Sequence, residues 1–109
     1  MATGDAWQVN SGGVIATLQV RAVKCLLYSV QAEDSGVQAY LQIFDSAAAV
    51  IAGAIPVWQQ IMSNLPSNIW EPAIPMVFTN GIYAAVSAAN GVYAVSAQSV
   101  WMMFRGRDL

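Results

Sequence analysis

From Val37 to Asp45 the side chains alternate without a break. Val37, Ala39, Leu41 and Ile43 fall on one side, and Gln38, Tyr40, Gln42 and Phe44 on the other. A period of two is the pattern of a β-strand with one face in a core. Just upstream, Leu26, Tyr28 and Val30 alternate with Leu27, Ser29 and Gln31. The segment Glu33-Asp34-Ser35-Gly36 lies between the two runs. Its Asp and Ser can bond their own backbone, and its Gly can take positive φ, as a short loop requires. Leu26 to Asp45 is therefore expected to form a β-hairpin, and the chain an all-β domain.

The same patterning places strands near 14–22, 24–32, 37–45, 54–62, 75–79, 81–89, 92–98 and 99–105. No turn residue separates the first two, so they form either one long strand bulged near Ala22 or two strands meeting at a corner. In 54–62, Ile55, Val57 and Ile61 oppose Trp58, Gln60 and Met62; Pro56 lacks an N–H, which puts the start of this strand at a sheet edge. Ser46 to Gly53 is Ala-rich but short and unpatterned, a loop. Ile69-Trp70-Glu71 has the makings of a short strand before Pro72 and Pro75. Asn90-Gly91, flanked by alternating residues, predicts a two-residue hairpin turn. That register sets Ala88 against Tyr93, Val86 against Val95 and Ala84 against Ala97. It leaves a mixed face of Ser87 with Ala94, Ala85 with Ser96 and Tyr83 with Gln98. Val100 to Phe104 is apolar on both faces, so that strand is central or is covered by a partner. The fold expected is an antiparallel β-sandwich or jelly-roll-like barrel of seven or eight strands over 14–105, with an N-terminal arm at 1–13 and a C-terminal tail at 106–109.

Composition bears on what such a domain does. Of 109 residues 57% are hydrophobic and 9% charged, against roughly 25% charged in ordinary soluble domains. Between Asp45 and Arg105 the only charge is Glu71. A single domain of this size must turn many of its positions outward, and large exposed apolar patches mark interfaces. Stable assembly with other subunits is expected. No run of about 20 apolar residues is present for a spanning helix, and Met1 to Asp5 lacks the pattern of a signal peptide. A soluble, cytoplasmically made chain with no membrane partner is the expectation. The net charge of −2 and the lack of a basic cluster argue against a nucleic-acid partner.

Catalytic and cofactor chemistry find little footing. There is no His, hence neither the commonest general base nor the commonest metal ligand. Cys25 stands alone and is expected to act as a small buried hydrophobe. Ser11-Gly12-Gly13 is too short for a phosphate loop and leads into a strand. Glu71, between Trp70 and Pro72, is the one tempting acid, and it is expected to be an exposed loop carboxylate. No catalytic, cofactor or metal residues are assigned. Trp7, alone in a polar Gly-rich arm, either anchors in a pocket of its own or a neighbouring domain or closes the bottom of its own core.

The runs Leu27-Tyr28-Ser29-Val30, Ala39-Tyr40-Leu41-Gln42-Ile43-Phe44-Asp45, Ile55-Pro56-Val57 and Phe78-Thr79-Asn80-Gly81-Ile82-Tyr83-Ala84-Ala85-Val86-Ser87 resemble a group of small β-sandwich virion proteins of tailed bacteriophages. The likeness spans Leu26 to Ser96 and departs at Trp70-Glu71-Pro72. It implies a structural protein of the virion, a capsid decoration or cement protein on the capsid surface, with the major capsid protein as partner. A tail, collar or fibre subunit with a receptor- or glycan-binding surface is the alternative, and an enzyme ranks third. Proteins of this kind commonly form homotrimers, in which one surface of each subunit meets a different surface of the next. The expected contact residues are Tyr83, Ala85, Ser96 and Gln98 on the mixed face and Trp101 and Met103 on the last strand, while Trp7 reaches the shell.

Overall fold

The structure, a computed structural model, describes residues 6–33, 39–62, 68–96, 98 and 100–109. They form nine antiparallel strands: β1 (Ala6–Asn10), β2 (Thr17–Arg21), β3 (Cys25–Glu33), β4 (Ala39–Asp45), β5 (Trp58–Met62), β6 (Asn68–Trp70), β7 (Met76–Phe78), β8 (Ile82–Ser87) and β9 (Trp101–Asp108). One sheet runs β1-β9-β3-β6, with β7 also on β3; the other runs β2-β8-β4-β5. The expected all-β sandwich is the observed fold.

The core lies between the sheets. β8 contributes Ile82, Ala84 and Val86, β4 Ala39, Leu41 and Ile43, and β9 Met102 and Phe104, all buried. These are the inward sets that alternation predicts for β4 and β8. In β3 the expected alternation fails. Cys25 and Leu27 face the core, and so do Val30 and Ala32, because a register shift between Leu27 and Ser29 changes the parity. One extra residue in a strand turns every later side chain over.

The expected hairpin of Leu26 to Asp45 does not form. β3 pairs with β9, β6 and β7 and never with β4, which pairs with β8 and β5. The chain crosses from one sheet to the other, and the Asp34-Ser35-Gly36 turn lies outside the described residues. Period-two patterning marks which face is buried; it cannot distinguish a partner beside the strand from one across the core. The connection from β2 to β3 likewise changes sheets, which makes it the corner of the two alternatives, and a register shift between Gln19 and Arg21 bends β2 just before it.

The Asn90-Gly91 segment also departs from expectation. Gly91 has φ 80°, yet the return limb is a single bridge, Ser87 to Val95, with the Ala88 N–H donating to the Ala94 carbonyl at 3.0 Å. The pairing is one residue off the expected register, and no strand runs through 92–96. β8 has β2 on one edge and β4 on the other, so no edge remains for a long hairpin partner. Ala97 and Ser99 lie outside the described residues.

The outer bounds extend further than expected. Ala6–Asn10 of the expected arm is β1, paired with β9, and β9 runs through the expected tail to Asp108. β5 is an edge strand beginning just after Pro56, as the missing N–H requires. β6 and β7 share one edge of β3 end to end, and the Pro72 and Pro75 segment between them carries Glu71 at an exposed position.

Candidate interaction surfaces

One end of the sandwich is closed by three side chains. Arg21 of β2 donates to Asp108 of β9 through Nε at 2.7 Å and through Nη2, tying the two sheets together. Its guanidinium lies 5.7 Å from the centroid of the Trp7 ring, a cation–π distance. Trp7 packs against the core over Gly106, where a Cβ would collide with its ring. Trp7 thus closes the bottom of its own domain. Contrary to expectation it is no mobile anchor that reaches a shell: its indole packs on its own core and is held by β1–β9 pairing and by Arg21.

The hydrogen bond from Arg21 holds the Asp108 carboxyl below its ordinary value, against the opposing effect of desolvation. A carboxylate lowered by folding stabilises the fold above its unfolded pKa, and that contribution fades as pH falls through the folded value. Unfolding midpoints in urea are therefore expected to drop as pH is lowered below about 4. Asp108→Asn is expected to remove this part of the acid dependence; an Asp108→Asn curve parallel to wild type would show the pair contributes nothing. Beside this clamp the fully buried Cys25 thiol is raised to about 11, first by desolvation and then by Asp108. At neutral pH it is a thiol with the small-hydrophobe role expected of it.

The outer face of the four-stranded sheet is covered by the chain itself. Phe44, Tyr83, Ala85 and Tyr93 form a second buried cluster, with Val50 and Ala54 packed on it. Tyr93 meets Phe44 edge to face at 5.9 Å. The 88–95 segment is pinned by polar side chains beneath it. Gln42 Nε2 donates to the carbonyls of Ala89 at 3.1 Å and Val92 at 3.0 Å. Ser87 Oγ accepts from the N–H groups of Ala89 and Ala94. Gln59 Oε1 accepts from Gly91 N–H at 2.8 Å and from Gln42 at 2.7 Å. Gln42 and Ser87 are fully buried, so these bonds satisfy a lid that a sheet ladder does not.

Tyr83 and Ala85, expected at a subunit contact, lie under this lid and are 7% and 0% exposed. The expected subunit contact there is made instead by the chain's own Val50, Ala54 and Tyr93, which occupy the face. Ser96 and Gln98 are half-buried at the lid's far end and do not join them in a hairpin face. Sequence reasoning missed Gln42 and Gln59 and placed Ser87 on the mixed face without this role. The signal for Gln42 is a polar side chain set between Tyr40 and Phe44 on one strand face.

The outer face of the five-stranded sheet has no such cover among the described residues. Met102 and Phe104 of β9 point inward, and Trp101 and Met103, both expected contact residues, lie on the outward side, half-buried. Across the sheet Trp101 sits beside Glu33, Met103 between Asn10 and Gln31, and Arg105 between Gln8 and Ser29. Ile69 and Val77 are exposed on the same sheet. A second group of exposed apolar side chains, Ile51, Ile55, Val57 and Ile61, follows the approach to β5 and its free edge; Ile51 is 81% exposed. This stretch carries no charge, and β5 has none of the Lys or Glu that commonly protect an edge.

On the four-stranded sheet, Ala39 and Tyr40 of β4, Ile61 of β5 and Ala88 line a cavity of about 210 Å³, below the roughly 300–1,000 Å³ usual for small-molecule sites. Among the described residues there is no group of three acids, Cys or His placed to hold a metal, and no helix long and apolar enough to cross a membrane. No family model matches the chain, and no curated protein or solved structure is found to be similar to it.

Proposed function

We propose that this chain is a structural protein of a phage virion, a capsid decoration or cement protein that binds the outer surface of the major capsid protein shell and stabilises it. The observation that carries the assembly part is the apolar surface left outside both cores: Ile51, Ile55, Val57 and Ile61 on one side, Trp101, Met103 and Ile69 on the other. Covering such surface contributes about 25 cal/mol per Å². The β5 edge, which has no partner strand among the described residues, adds backbone groups that a partner strand can pair with. The virion part rests on the resemblance of Leu26 to Ser96 to phage β-sandwich proteins. A homotrimer uses two different surfaces of each subunit, and the charge-free β5 side is one of them.

The test is cryo-EM of intact particles together with sedimentation of the isolated protein. Density of this nine-stranded shape on the outside of the shell is the expected result. Density in a tail, collar or fibre, with binding on a glycan array, transfers the protein to the alternative. A monomer that does not associate at micromolar concentration removes the cement reading.

A further inference from the structure

On the open face of the five-stranded sheet, three rows of side chains are arranged symmetrically about Met103. On one side is the row of Trp101 and Glu33; on the other is the row of Arg105, with Ser29 and Gln8. Glu33 and Arg105 are both exposed. The two rows stand four residues apart along β9, roughly 14 Å at strand spacing, so the acid and the base do not meet within one chain. An opposite pair placed at equal distances from a central apolar residue is what an isologous contact needs. A two-fold axis across the strands at Met103 brings each Glu33 to the other copy's Arg105.

From this we infer that the open face is a two-fold contact between copies of this chain. The two sheets stack face to face with their β9 strands antiparallel. Met103 lies against Met103 of the partner on the axis. Each Arg105 guanidinium covers the partner's Trp101 ring and pairs with its Glu33, so the charged groups of the contact appear twice and cancel. Trp, Met and Arg are the residues enriched in interface cores, and an aromatic face is a natural seat for a guanidinium. Arg107, one row further out, has interactions of its own and is not needed. The contact takes up the Trp101–Met103 side of the apolar surface described above and leaves the β5 side for other subunits and the shell. It doubles whatever unit the apolar β5 side builds.

Sedimentation equilibrium of the full-length protein at low and high salt tests the contact, with charge reversals at exposed positions that leave the core intact. The doubling step is expected to weaken about tenfold when salt is raised from 50 to 500 mM, because exposed pairs are screened. Glu33→Arg and Arg105→Glu are each expected to weaken it by a similar factor at low salt, and the combined variant to restore it. Met103→Glu, which sets two like charges together on the axis, is expected to abolish it. A doubling step that ignores salt, single reversals with no effect, or a combined variant as weak as the single ones would each overturn the contact.

Discussion

Alanine at Gly106 is expected to cost about 3 kcal/mol, a fall in Tm on the order of 10 °C or more. A Cβ there would run into the Leu26 carbonyl on one side and the Trp7 ring on the other. Gly106 pairs with Trp7 on β1 and with Leu27 on β3, so it lies at the centre of its sheet and neither neighbour can move freely. The indole has one way out, to leave the end of the sandwich and abandon Arg21. The Leu26 carbonyl can yield only by shifting the backbone of β3. Trp7→Ala alone is expected to cost about 2 kcal/mol, less than a fully buried Trp because the ring is half-buried. Combined with Gly106→Ala it should cost less than the sum, since the indole is then no longer an obstacle. Urea unfolding of the three variants measures this. Full additivity would place the whole obstruction at Leu26, and a Gly106→Ala protein as stable as wild type would contradict the packing described.

How much of this was legible in the residues depended on how local its cause was. The burial of Ala39, Leu41 and Ile43, and of Ile82, Ala84 and Val86, follows from alternation alone. The edge position of β5 follows from Pro56, but alternation does not tell which of its sides is buried: Met62 lies in the core with Trp58 packed on it, and Ile55, Val57 and Ile61 are exposed. What stayed hidden was set by distant partners. Asn90-Gly91 is a strong local turn signal, but β2, some seventy residues upstream, takes the edge that the hairpin would have used. The turn Glu33 to Gly36 carries good loop residues, yet the pairing edges of β3 belong to β6, β7 and β9. The parity change in β3 comes from one unpaired residue near Tyr28, which no apolar period announces. For the candidate surfaces, Trp101 and Met103 were identified from a strand apolar on both faces, and they do lie outward. Tyr83 and Ala85 looked accessible because small and mixed residues suggest a contact. That contact is made by the chain's own lid.

Ser87→Ala is the substitution expected to open that lid, at a cost of about 2 kcal/mol. The change is nearly isosteric, so cavity effects are small and the loss is one of hydrogen bonding. Ser87 Oγ accepts from Ala89 at 3.2 Å and Ala94 at 3.0 Å, and its hydroxyl lies 3.1 Å from both the Ala89 and Val92 carbonyls. Without it two N–H groups lose their acceptor, and both carbonyls depend on the single amide of Gln42. An unsatisfied buried group costs about 1–3 kcal/mol. Ala89 and Ala94 are only half-buried, so water can replace part of the loss, which argues for the lower end per group. Hydrogen exchange at Ala89 and Ala94 is expected to speed up by roughly tenfold or more, while the Phe104 amide in β9 slows or quickens only with global stability. Lifting the lid uncovers Phe44, Tyr83, Ala85 and Tyr93 together, so the variant should also bind a hydrophobic dye and self-associate beyond the wild-type unit. Exchange unchanged through 88–95 would mean that the backbone bonds of Tyr93 with Gly53 and Ala54 and its edge-to-face contact with Phe44, rather than the polar anchors beneath, hold the lid closed.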